Sequence, residues 1–372
     1  HGAFQLCRKL GWFPDIIHAH DWSACLAPVL LKHVCRYCGF EKTASVLTIH
    51  NLGYQGQYSK DSFPALGIDW GLFYGASFEH NGGINFLQAG ISSSDMITTV
   101  SPTYAREIQT PEGGFGMDGL LRERSAVVRG ILNGADLTQW NPATDKKIPF
   151  RYSAKDMSGK AKCKAELQKK MGLPVREDVP VIGIVTRLAE QKGIAEIFAP
   201  GYGSMYDMCT KMDVQFAVLG SGESWCENEI NVLQSKLPNM RAYIGYDDAL
   251  SHLIEAGSDF FLMPSKYEPC GLNQIYSMLY GTLPIVRRTG GLADTVANYN
   301  ENNADGTGFV FDNLTPRAVF DTVGWAVWAY YNKKQDIRKM QLRGMDTTFS
   351  WDSAANGYLE VYKEALSRGC GI

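Results

Sequence analysis

The sequence has no excess of positive charge, no apolar run long enough to cross a bilayer, and no set of cysteines at zinc spacing. Its 36 Lys and Arg stand against 39 Asp and Glu, a formal net charge of −3. That balance argues against nucleic acid as the main partner and requires any anion site to be a local cluster of cations. The lack of a spanning apolar run excludes a membrane partner of the helical kind. Nine cysteines are scattered over 372 residues. Cys35 and Cys38 form a C-x-x-C, but no second pair accompanies them and no thioredoxin-like pattern surrounds them. The cysteines are therefore expected to be reduced, as in cytoplasm, or in plastid stroma if the source is a plant or alga. Internal repeats and low-complexity tracts are also missing.

What is present points to an α/β chain of two domains. Hydrophobic residues make up 45% of the sequence, enough for two cores at this length. Short apolar runs at 16–18, 45–49, 96–100, 127–132, 181–185, 215–219, 240–244, 260–263 and 283–286 predict buried parallel strands. Helical patterns such as 24–34 and 163–171 separate them, and the alternation predicts doubly wound sheets. An amphipathic pattern through Phe4, Leu6 and Leu10 predicts a first helix. The polar stretch 141–160, with Pro142 and Pro149, predicts a linker. The expected domains are thus 1–143 and 144–353, with a C-terminal helix at 354–372 packing back on one of them.

The residues suited to chemistry fall at strand ends, where open α/β sheets bind ligands. Arg187-Leu188-Ala189-Glu190-Gln191-Lys192-Gly193 follows a strand and offers a guanidinium fork and an ammonium to a diphosphate. Glu268, in Ser265-Lys266-Tyr267-Glu268-Pro269-Cys270-Gly271-Leu272, places a carboxylate beside exposed backbone N–H groups, the mixture that sugar hydroxyls need. Thr289-Gly290-Gly291 permits close backbone approach of a phosphate. Gly220-Ser221-Gly222 is a weaker version of the same turn. Tyr246 ends another strand and is placed to stack on a base or to pack. Asn133, in a Leu-Asn-Gly-Ala-Asp turn, is placed to meet a sugar hydroxyl. His18-Ala19-His20-Asp21-Trp22 has the H-x-H spacing of a metal site, but no further ligand cluster supports a metal, and an N-cap by Asp21 with a packed Trp22 competes. His50-Asn51-Leu52-Gly53-Tyr54-Gln55-Gly56 is a similar polar loop. A diphosphate clamp beside a sugar-binding carboxylate describes a nucleotide-sugar site.

With these motifs assembled, the sequence resembles the bacterial-type glycogen and starch synthases. The resemblance rests on HAHDW (18–22), TIHNLGYQG (48–56), VSPTYAREI (100–108), LNGAD (132–136), TRLAEQKG (186–193), PSKYEPCGLNQ (264–274), GTLPIVRRTGGLADTV (281–296) and FSW (349–351). It implies a GT-B fold, with two Rossmann-like domains facing a central cleft. It implies retaining transfer of glucose from ADP-glucose, or UDP-glucose, to the non-reducing end of an α-1,4-glucan, with no metal or other cofactor. It implies that His20 contacts the glucose near the reacting carbon, that Asn133 binds the 6-hydroxyl, and that Arg187 and Lys192 hold the diphosphate. Glu268 and the backbone of Cys270, Gly271 and Leu272 would bind the 3- and 4-hydroxyls, Tyr246 the adenine, and Thr289, Gly290 and Gly291 the distal phosphate. The family's K-x-G-G-L loop and first strand do not precede the first motif, which implies an incomplete N-terminal domain. Where sucrose- and trehalose-type relatives carry a second Glu, this sequence has Tyr276. An inactive glucan-binding protein is the competing reading of another class.

Overall fold

The computed structural model describes residues 1–369. Cys370 and the end of the predicted 354–372 helix lie outside them. The chain forms two compact units, one of residues 1–133 with the segment from Asp352 onward, the other Gly134–Trp351.

The first unit is built on a four-stranded parallel sheet in the order Ile16–His20, Ala44–Ile49, Met96–Thr99, Val128–Gly130. Ala44–Ile49 is buried at all its positions, as a central parallel strand covered on both faces must be. Leu47, Ile49, Leu87, Ile91 and Ile97 share its core with Val361 and Ala365 of the C-terminal helix, Trp351–Gly369. That helix therefore belongs to the first unit. A short antiparallel sheet of Gln57–Ser59, Gly83–Asn85 and Glu79–His80 lies outside the main one. Its strands are too short and polar to show as apolar runs.

In the second unit, six parallel strands run in the order Met240–Ile244, Gln215–Gly222, Val181–Leu188, Phe260–Met263, Leu283–Arg287, Phe309–Phe311. Val181–Leu188 comes first in the chain yet lies inside the sheet. The chain adds strands to one side of it and then to the other, so the order reverses there. The crevice outside the carboxyl ends of Val181–Leu188 and Phe260–Met263 is therefore the topological switch point where such sheets bind ligands. All nine strands expected from the sequence are present, and Phe309–Phe311 adds an edge strand.

The predicted linker needs correction. Residues 134–160 are part of the second unit, and the boundary falls at Asn133/Gly134 rather than 143/144. Trp140 is stacked between His252, 3.8 Å away at 12°, and Tyr276, 4.0 Å away at 4°. Asp145 is buried and accepts hydrogen bonds from His252 Nδ1 at 2.7 Å and Tyr280 Oη at 2.5 Å. Lys160 is buried and donates to Ala256 O and Thr282 Oγ1. The stretch is polar because its polar groups are paired inside the unit, a state that composition does not separate from solvent exposure. The predicted helix at 24–34 is also broken: Asp21–Ala24 and Leu26–Leu30 are short helices, followed by a wider π turn over Leu31–Cys35. In the first helix, Gly2–Leu10, only Phe4 of the three apolar positions is buried. The eight described cysteines are free thiols.

Candidate active site

At the switch point of the second unit, Arg187, Lys192, Gly220, Tyr246, Glu268 and Leu272 are among the residues lining one hollow of about 330 Å³. Its floor is a charge pair. Lys192 Nζ lies 2.6 Å from Glu268 Oε2, and Ser265 Oγ donates to the same oxygen at 2.9 Å. Glu268 is only 5% exposed, and two donors meet its carboxylate, as a nearly buried acid requires. Oε1 remains to accept from a ligand hydroxyl. Gln191 spans the loop, accepting from Arg187 Nη2 at 3.5 Å and donating to Tyr267 O at 3.3 Å.

The backbone sets this geometry. Gly193 adopts φ +67°, and a Cβ there would sit 2.0 Å from Pro264 O. The Lys192 loop and the Glu268 loop approach each other at a point where only glycine fits. Tyr246 is 85% exposed and follows Gly245, whose N–H donates to Gly220 O at 3.0 Å. An aromatic face is thereby presented at the wall of the hollow.

Not every residue expected at the site lines it. Gly271 and Leu272 do, whereas Cys270, Thr289, Gly290 and Gly291 are buried behind it. The glycine pair approaches protein rather than open space: a Cβ on Gly290 would lie 1.9 Å from Glu268 O, and one on Gly291 1.9 Å from Cys270 O. Gly291 N–H donates to Glu268 O at 3.0 Å. The pair supports the Glu268 loop from behind. Ser265 and Asn273, absent from the sequence reading as site residues, also line the hollow. Asn273 is fixed by donation to Val185 O at 2.8 Å. A polar side chain beside Glu268 was the only signal either offered.

His20 and Asn133 belong to the first unit. His20 ends its strand, and the parallel register sets it opposite Thr48, so His50 follows one residue beyond the neighbouring strand's end. His20 Nδ1 and His50 Nε2 are 3.0 Å apart. Asp21, at φ +57°, accepts the His50 N–H through Oδ1 at 2.8 Å. Behind them His18 is held at both ring nitrogens, by Tyr362 Oη at 2.8 Å and Thr48 Oγ1 at 2.6 Å. Its ring stacks on His20 at 4.3 Å. The partners of His18 are thus hydroxyls. The contribution of His50 was visible in sequence only as a polar loop.

Burial, reinforced by the His20 and His50 charges, pushes the His18 pKa down to about 4. A His lowered in the fold binds fewer protons than in the unfolded chain. Its contribution is fully present above about pH 6.5 and is lost as pH falls from there toward 4. Between pH 7 and 4.5 we expect unfolding free energy to fall by roughly 2 kcal/mol from this ring, the full linkage value being discounted for partial exposure. His18→Gln should flatten that part of a urea-denaturation pH profile. An unchanged slope would exclude His18 as its source.

Comparison with known proteins adds an independent line. A starch synthase catalytic domain family matches residues 1–123, and the glycosyl transferases group 1 family matches residues 166–332. A glycogen synthase of Treponema denticola is 58% identical over 368 residues, covering 99% of this chain and 75% of that protein. Glycogen synthase 1 of Geobacter metallireducens is 45% identical over 373 residues, covering 99% and 73%. The catalytic domain of starch synthase IV from Arabidopsis thaliana, solved bound to ADP and acarbose, matches with TM-score 0.89 at 33% identity, covering 98% of this chain and 76% of that one. A sucrose-phosphate synthase from Thermosynechococcus elongatus, at TM-score 0.61 and 17% identity, shares the fold alone.

Proposed function

Because this chain belongs to the glycogen and starch synthase family of GT-B glucosyltransferases, we propose that it moves glucose from ADP-glucose to the non-reducing end of an α-1,4-glucan with retention. The observation that carries the donor half is the 2.6 Å contact between Lys192 and Glu268 at the switch point. A cation for the diphosphate and a carboxylate for the hexose lie within one hydrogen bond of each other. That spacing suits a ligand whose phosphate is bonded directly to its sugar.

In this reading Arg187 and Lys192 neutralise the charge that grows on the departing diphosphate. Glu268, with the N–H groups of Cys270, Gly271 and Leu272, holds the 3- and 4-hydroxyls. Tyr246 takes the adenine face. Thr289, Gly290 and Gly291 close on the distal phosphate with their backbone, while Gly291 N–H also braces the Glu268 loop. His20 contacts the glucose near its reacting carbon, and Asn133 its 6-hydroxyl. An oxocarbenium-like centre develops at C1. The acceptor's 4-hydroxyl attacks from the face the diphosphate leaves, and its proton passes to the departing phosphate oxygen. The chemistry needs no metal, because side-chain cations meet the phosphate charge. No described helix is long and apolar enough to cross a membrane, and the reading places the enzyme in cytoplasm.

The test is transfer of labelled glucose from ADP-glucose, with UDP-glucose in parallel, to maltoheptaose. The product should lose its label to a β-amylase, as only an α-1,4 extension would. Glu268→Ala should lower kcat at least about 100-fold. No elongation from either donor would refute the function, and unchanged turnover in the variant would remove Glu268 from the site.

A further inference from the structure

Gln274 stands just past Leu272, in the first turn of the helix Asn273–Leu279. It takes no part in the donor chemistry described above, and it is wholly buried, at 0% exposure. Its amide nonetheless reaches back under the Glu268 loop. Nε2 donates to Cys270 O at 3.1 Å and to Gly271 O at 3.0 Å. It also donates to Thr295 Oγ1 at 3.1 Å, and that hydroxyl donates to Gly291 O at 2.6 Å. One side chain thus joins the loop that carries Glu268 to the helix Gly290–Thr295 behind it.

The oxygen of the same amide fares differently. Oε1 has no hydrogen-bond partner among the described residues, and a buried acceptor left unmatched is destabilising. It lies against Gly271, which adopts φ +68° and where a Cβ would come within 2.4 Å of it. Turning the amide over would not help, since its oxygen would then face two carbonyl oxygens. A Met of similar length would fill the space with no orphaned oxygen. Packing alone therefore does not account for an amide at this position. The two carbonyls that it holds do.

Holding those carbonyls fixes what lies opposite them. A trans peptide unit is planar, with its N–H directed away from its C=O, and the units here are trans. Cys270 O shares a unit with the Gly271 N–H, and Gly271 O with the Leu272 N–H. With both oxygens turned in to Gln274, both N–H groups are turned out. Gly271 and Leu272 line the donor hollow. Asn273, between Leu272 and Gln274, is tied separately to Val185 O at 2.8 Å, which pins the segment to the strand that also carries Arg187.

We propose that Gln274 is a positioning residue for glucose transfer: it holds the Gly271 and Leu272 N–H groups toward the hollow, where they meet the hexose hydroxyls. Thr295 completes the clamp by receiving the amide and passing the constraint to Gly291, whose N–H donates to Glu268 O at 3.0 Å. The carboxylate that accepts from the hexose and the N–H groups that donate to it are thereby kept in one fixed relation. Donors aimed in advance need no reorganisation when the sugar distorts toward its transition state. The inference rests on the proposed synthase reading, since it takes the Glu268 loop as the hexose site.

The experiment compares wild type, Gln274→Met, Thr295→Val and Thr295→Ser on labelled ADP-glucose, ADP-3-deoxyglucose and ADP-4-deoxyglucose, with maltoheptaose as acceptor. Calorimetric binding of ADP alone reports whether the rest of the hollow is intact. Wild type should prefer ADP-glucose to the deoxy donors. Gln274→Met should lower kcat/KM for ADP-glucose roughly 10-fold and shrink that preference by a similar factor for at least one of them, while ADP binds within about twofold of wild type. Thr295→Val should shrink the preference in the same direction, and Thr295→Ser, which keeps the hydroxyl, should restore it. A Gln274→Met loss shared equally by all donors would reduce Gln274 to a packing residue and overturn the inference, as would no loss at all. Should Gln274→Met also lose ADP binding, the Thr295 variants decide: equal preferences in Thr295→Val and Thr295→Ser would overturn it. A wild type that transfers glucose with no preference over either deoxy donor would overturn it too. If wild type itself transfers no glucose, it is the synthase reading that fails.

Discussion

Arg187→Ala and Lys192→Ala should each lower kcat by about 10²–10³-fold, yet differ sharply in stability. Arg187 is exposed at the rim, so its removal should leave the unfolding midpoint nearly unchanged. Lys192 is the cation that meets Glu268 Oε2 at 2.6 Å, and Glu268 is 5% exposed. Without Lys192 the carboxylate keeps only Ser265 among its side-chain donors to that oxygen, and a nearly buried charge has lost its counter-ion. A stability loss of roughly 1–3 kcal/mol should accompany the loss of turnover. Single-turnover transfer from ADP-glucose, measured beside urea denaturation, separates the two effects. Near-normal rates in both variants would end the diphosphate assignment. Equal destabilisation in both would mean that the pair at the floor of the hollow does not hold Glu268 in place.

Gly290→Ala should be among the most damaging single methyl additions in the second unit. The position adopts φ +45°, and the new Cβ would fall 1.9 Å from Glu268 O and 3.5 Å from Pro269 Cα. Both neighbours are backbone, so no side chain can rotate away, and the Glu268 loop itself must move. A cost of about 3 kcal/mol or more is expected, with activity falling in parallel. Gly172→Ala is the control. It also has a positive φ, +73°, but a Cβ there meets nothing within 4 Å. Its cost should stay near 1 kcal/mol, the conformational share alone. Thermal unfolding of the two variants makes the comparison. Similar losses would show that the close packing behind Glu268 adds little beyond the φ requirement.

Much of this protein was legible in the chain order of its residues. Strands such as 181–185 and 260–263 showed as apolar runs because both faces of a parallel strand are buried, and burial on both faces leaves no alternation to decode. The site residues Arg187, Lys192 and Glu268 were legible because they follow those strands directly, and the ends of parallel strands in an open sheet point the same way. The C-terminal helix was legible as a helix, but not as to which core it would join.

Other features depended on pairings between distant residues. That Val181–Leu188 lies where the strand order reverses follows from which strands pair with it. The polar segment around Trp140 looked like a linker until His252 and Tyr276 closed on either face of the indole. At Gly290 and Gly291 the need for glycine has a further cause that only the fold supplies: the backbone of Glu268 and Cys270 fills the space a Cβ would take. His50 gained a role only when strand register set its ring against His20. The sequence by itself thus determined which segments are strands and which loops carry cations, carboxylates and imidazoles, because burial and charge are properties of single residues and their near neighbours. Tertiary structure alone decided which of those loops touch, since each contact joins residues tens of positions apart and depends on how the sheets are ordered.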